Sequence, residues 1–148
     1  MRLGVSPRRF SLRNQREVDY QWDLIYRYSS LNRLFRITAL CQGFILRLRR
    51  QRNHMQATCI PVEEIEQAQI FWIKVTQSTF FSHELKVLSS QLPTFHPFSR
   101  LTAFVDHQGV IRVGGQLNYS TLNYENKHPA ILPRHSRLSE LIIDHSHR

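Results

Sequence analysis

The chain has 148 residues, 41% hydrophobic and 11% aromatic, which is enough for one domain with its own core and too apolar for a disordered tail. Its formal charge of +9 sits wholly in the first third: residues 1–56 carry 12 arginines against Glu17, Asp19 and Asp23, whereas residues 57–148 carry eight basic and eight acidic side chains. Met1 to Arg16 lacks the apolar stretch of a secretory signal, and the uncharged run Ile37 to Leu46 is about half the roughly 20 residues of a membrane span, so no membrane partner is expected.

In chain order, Met1 to Asp19 is polar and basic and reads as a loose lead-in, extended here to residue 21. Ser29 and Ser30 supply a helix start, since a serine hydroxyl accepts from a free amide of the first turn. Leu31, Leu34, Cys41, Ile45 and Leu48 then recur on one helical face, with Thr38 as the single polar member of the series. Phe35, Ile37, Leu40 and Phe44 widen that stripe, which predicts a helix buried on more than a narrow seam. Its end carries Arg47, Arg49, Arg50 and Arg52, where the negative end of the helix dipole favours cations. Gln51 to Thr58 reads as a linker. A second helix starts at Pro61, with proline at its first position and Glu63 and Glu64 at the positive end of the dipole. Ile65, Ala68, Trp72 and Val75 form its apolar face, and a shorter helix follows from Ser82 to before Pro93.

After Pro97 the period changes. Leu101 to Val105 and Val110 to Val113 flank Asp106-His107-Gln108-Gly109, a β-hairpin whose Gly109 takes the left-handed conformation. Ala130-Ile131-Leu132 is a short strand stopped by Pro133, and Ser136 caps a last helix with Leu138, Leu141 and Ile142 inward.

Catalytic constellations are absent from the pattern. Asp106 and Glu140 fall near the spacing of a metal-holding carboxylate pair, but one sits in a turn and the other on a helix. Glu63, Glu64 and Glu66 read as a helix-start charge cluster, and His83, His96, His107 and His128 as surface or capping residues. Cys41 reads as a packed thiol on the apolar face. With Cys59 as its only companion and no C-x-x-C spacing, a disulfide framework is not expected and the compartment is reducing, cytoplasmic or nuclear. Trp22, Phe35, Phe71 and Trp72 have the helical spacing of core residues rather than of a base-stacking platform. The arginines fit two descriptions: phosphate contacts to DNA or RNA through the basic N-terminal third, or a solvated helix surface.

Phe104-Val105-Asp106, Gly109 and Ile111-Arg112-Val113-Gly114-Gly115-Gln116-Leu117, followed by Lys127-His128-Pro129-Ala130-Ile131-Leu132-Pro133 and the segment Ser136 to His147, resemble the hairpin, strand and helix that open the integrase zinc-binding region of Pao/BEL-type retrotransposon polyproteins. Tyr28 to Leu31, Arg36 to Leu40 and Ala68 to Trp72 are similar to the stretch between RNase H and integrase in the same family. The resemblance implies an α+β arrangement: a helical connector over residues 22–92, then a small hairpin-plus-helix module over 98–148, a truncated integrase zinc-binding region. It also implies a non-catalytic role related to DNA integration, with other parts of a polyprotein as partners. His147 matches the family's first zinc histidine, but the second histidine and the C-x-x-C pair have no counterpart in these residues. A closed zinc site needs four ligands. No cofactor is therefore expected here, and zinc only in a full-length relative. The alternative is a host-retained or degenerate protein-interaction module with no DNA role.

Overall fold

The computed structural model describes residues 23–50, 59–90, 97–115 and 121–148. The basic lead-in, Trp22, the linker 51–58 with Arg52, and His96 lie outside the described residues. A helical turn at 23–27 precedes α1 (Leu31–Arg50), α2 (Val62–Phe80) and α3 (Ser82–Ser90). Then come β1 (Phe104–Val105), β2 (Ile111–Arg112), α4 (Tyr124–Lys127) and α5 (Arg137–Ser146). The described chain is mostly helical with one small antiparallel sheet, a coarse α+β arrangement. No described helix is long and apolar enough to cross a membrane.

Helix α1 begins where the serine pair predicts, with the Ser30 carbonyl accepting from the Leu34 amide at 3.1 Å. Its inner face buries Leu31, Leu34, Phe35, Thr38 and Ala39. Thr38 is polar for a reason. Its hydroxyl donates to the Leu34 carbonyl (2.8 Å) and accepts the indole N–H of buried Trp72 (2.8 Å), so neither polar group is left unpaired in the core. Helix α2 departs from expectation by one residue: Pro61 is extended (φ −59°, ψ 148°) and precedes the helix instead of occupying its first position. Its carbonyl accepts from the Glu64 and Ile65 amides, and Glu63 and Glu64 form the first turn as expected. The face Ala68 and Trp72 is buried, with Ile65 and Val75 packed beside it.

Ile25, Leu31, Leu34, Phe35, Trp72, Leu138 and Leu141 form one core. The last helix thus packs into the core of the first two, and residues on both sides of Pro97 share it. Fully burying each such side chain stabilises by roughly 1.5–3 kcal/mol. Ser136 caps α5 as predicted, its hydroxyl accepting from the Ser139 amide at 3.2 Å.

The hairpin pairs Phe104 with Arg112 and Val105 with Ile111. Gly109 takes φ +80°, as the turn requires. The expected strand Ala130 to Leu132 shrinks to a single bridge between Arg112 and Ala130. Pro129 and Pro133 bracket it, and neither has an N–H to extend a ladder. Gln77, buried on α2, ties these pieces together: its amide nitrogen donates to the carbonyls of Ile111 (2.9 Å) and Ile131 (2.8 Å), and its oxygen accepts the Ile111 amide (2.8 Å).

The placement of Cys41 is a correction. Periodicity put its thiol in the core, but it is exposed, as is Cys59. Beyond Ala39 the first turns of α2 lie over Gly43 and Arg47, away from the side of α1 that carries Cys41, so that side loses its cover. Ile45 is exposed for the same reason, whereas Leu40, Phe44 and Leu48 are exposed because they lie on the outward side of the helix.

Candidate nucleic-acid interface

The basic end of α1 was the site marked by sequence. Arg47 and Arg49 are exposed on its last turns; Arg50 ends the helix, and its side chain, like the whole of Arg52, lies outside what the structure describes. Arg47 faces the first turn of α2, with its guanidinium 3.8 Å from the Glu64 carboxylate. At that distance, and with the arginine half exposed, the pair contributes little to stability. It does lower the positive potential at this end of the helix. Two further arginines on α1 that sequence reasoning did not single out, Arg33 and Arg36, are exposed. Among the described residues no carboxylate lies within ion-pair distance of Arg33, Arg36 or Arg49. At 1.5 Å per residue, Arg33 and Arg47 are roughly 21 Å apart along the helix and project from nearly the same side. Their spacing was legible: positions 33, 36 and 47 fall within one narrow arc of a 3.6-residue period.

The densest polar cluster lies elsewhere, at the hairpin. Asp106 is almost fully buried. One carboxylate oxygen accepts the amides of Gln108 and Val110, each at 2.9 Å, and the other binds Arg112 Nε at 2.5 Å. Burial works against the Asp106 charge, yet the Val110 amide, the Arg112 guanidinium and the Gln108 amide together hold its pKa below the usual carboxylate value. Arg112 is itself buried, donates to the His128 carbonyl at 3.0 Å and stacks over the Tyr124 ring at 5.4 Å. His128 closes α4, packs edge-on to Phe104, and sets its Nδ1 3.2 Å from the Val113 carbonyl. All of these contacts are internal. Glu140, the other half of the carboxylate pair weighed above, pairs with Arg137 on α5 at 3.0 Å, so each acid is engaged within its own element.

Neither family models, curated proteins nor solved structures give a match to this chain.

His147 stands at the C-cap of α5, exposed, with its backbone N–H donating to the Ile143 carbonyl; His145 is exposed in the same last turn. Among the described residues, no three His, Cys, Asp or Glu side chains group closely enough to hold a metal ion. His83 and His107 are surface residues, and Phe35, Phe71 and Trp72 pack in or against the core. A groove of about 640 Å³ runs between α1 and α2, lined by Gln42, Ile45, Leu46, Phe71, Lys74 and Val75 among others. It continues the core seam beyond the point where the seam is covered.

Proposed function

We propose that this chain is a non-catalytic connector of a Pao/BEL-type retrotransposon polyprotein, reaching into the integrase N-terminal extension, and that it engages nucleic acid by sequence-independent phosphate contacts. The family part rests on the sequence runs Ile111 to Leu117 and Lys127 to Pro133. The nucleic-acid part rests on one observation: α1 carries five arginines and no acid, and exposed Arg33, Arg36 and Arg49 have no carboxylate partner among the described residues. Such cations attract condensed phosphate charge, and each phosphate contact releases counterions.

Affinity for duplex DNA therefore falls steeply with salt. Replacing Arg47, Arg49, Arg50 and Arg52 by alanine flattens the log–log salt slope by up to about 3 to 4, at ~0.9 per lost contact. Binding weakens about equally on unrelated sequences, because phosphate contacts carry no base information. Titration of wild type and variant against two unrelated duplexes at several salt concentrations measures this. An unchanged slope removes these arginines from nucleic-acid binding. The protein-interaction reading has its own support in the exposed apolar residues of α1.

A further inference from the structure

Helix α1 is apolar on two sides, and among the described residues only one of them is packed. Its inner stripe meets α2 and α5. On the opposite side lie Ile37, Leu40, Phe44 and Leu48, three to four residues apart along one outward strip. Leu40 is 53% exposed, Phe44 61% and Leu48 62%. A helix apolar all round is normally buried all round, and one with a contiguous outward apolar strip marks a contact surface. The spacing is that of anchor positions in a helix-on-helix contact.

Charge decides what fits there. Exposed Arg33 and Arg36 project along one edge of the strip, and α1 contains no acidic residue. A second copy would bring the same arginine-rich helix against this one, so like charge opposes self-pairing. A bare duplex matches the arginines and leaves the apolar strip in water. A lipid surface matches cations on both edges of a strip, whereas the opposite edge here holds Cys41 and Ile45. An amphipathic helix with a leucine-type seam and one row of carboxylates satisfies the strip and its single basic edge together.

We propose that the outward face of α1 is a docking surface for an acidic amphipathic helix of a partner protein. Leu40, Phe44 and Leu48 supply the apolar seam, and Arg33 and Arg36 fix the partner's orientation. Its apolar anchors Leu40, Phe44 and Leu48 make no phosphate contact and separate it from the nucleic-acid reading, with which it shares only Arg33 and Arg36.

The test uses the full chain and a labelled synthetic helix of roughly three heptads with Leu at the seam and Glu along its flanks, beside an otherwise identical peptide with Lys for Glu. Fluorescence anisotropy is expected to show saturable binding of the Glu peptide and at least tenfold weaker binding of the Lys peptide. Phe44→Ser with Leu48→Ser weakens the Glu peptide at least tenfold while leaving the thermal melt and the DNA salt slope unchanged, since both side chains lie outside the core. Arg33→Glu with Arg36→Glu reverses the preference between the peptides, a readout that does not depend on the apolar variant. Equal binding of the two peptides, or binding that the Phe44/Leu48 variant leaves intact, overturns the proposal. So does binding to phosphatidylserine vesicles but not to the Glu peptide, or a concentration-dependent dimer, seen by sedimentation, that this variant abolishes.

Discussion

At Gln77 a side-chain amide stands in for the peptide group of a neighbouring strand. It offers a donor to the carbonyls of Ile111 and Ile131 and an acceptor to the Ile111 N–H, binding β2 and the segment that bridges to it, and it does so from a helix. Gln77→Leu keeps the volume and removes all three bonds. The Ile111 carbonyl still accepts from the Ile131 amide, but the Ile111 N–H and the Ile131 carbonyl lose their Gln77 partner. At about 1–3 kcal/mol per stranded group, the expected loss is about 2–6 kcal/mol, read by urea denaturation. Asp106 gives the pH-dependent counterpart. Its pKa is depressed in the folded state, so its contribution is fully present above the unfolded value near ~3.9 and is lost as pH falls through the lower folded value. Asp106→Asn keeps the oxygen that holds the turn and removes the charge facing Arg112. Stability at pH 7 falls by about 3 kcal/mol, at the lower end for a broken buried pair. The acid-induced part of the loss below pH ~4 becomes smaller than in wild type, and denaturation at several pH values between ~3 and ~7 checks both statements. These residues were unevenly legible. Thr38 was visible as the polar gap in an apolar stripe, though its partner Trp72 was not. Asp106 and Arg112 share a face of the hairpin by strand parity, a signal that was there to be read. Nothing in local spacing announces that Gln77, inside a helix, binds a strand more than thirty positions away.

The elements themselves were better marked than their surroundings. Proline, serine caps and the left-handed glycine are local signals, and they placed helix starts to within a residue and the hairpin turn at Gly109. At Gly109 a β-carbon would meet Lys74 no closer than 3.6 Å, so an added methyl has room and the cost of substitution is conformational. Gly109→Ala is expected to destabilise by about 1–2 kcal/mol, and Gly109→Asn by less, because asparagine visits the left-handed region more readily. A pair of thermal melts distinguishes this from a steric cause, which would penalise the larger asparagine more. Gly114 is the opposite case. A β-carbon there would lie 2.5 Å from the Thr102 carbonyl, in a segment where Thr102 already holds a left-handed φ of 45°. Helix α1 shows the limit of periodicity: it identifies apolar faces, but not how far along the helix a partner covers them. Cys41 and Ile45 carry the pattern of the buried face and are exposed for that reason.

At the scale of the molecule, residues 22–92 and 98–148 carry different periods and different composition, and their sequences read as two segments. Their side chains meet in one core: Leu138 and Leu141 of α5 pack with Leu31, Leu34, Phe35 and Trp72 of the helical part, and Gln77 binds the hairpin from α2. Tertiary contact between distant segments is set by which faces are left over once each element has formed, and a sequence period describes only the face. The shared core carries a consequence for cooperativity. Leu138→Ala with Leu141→Ala removes two fully buried side chains, at about 2–5 kcal/mol each, a sum comparable with the whole stability of a small domain. If the two segments were separate folding units, that loss would fall on the hairpin module, and Trp72 on α2 would keep its native fluorescence. With one core, Trp72 fluorescence and the amide-exchange protection of α1 and α2 fall together with that of the hairpin, in a single transition at lower denaturant. Retention of a native Trp72 signal after the hairpin amides have lost protection would establish two independent units and refute the shared-core account.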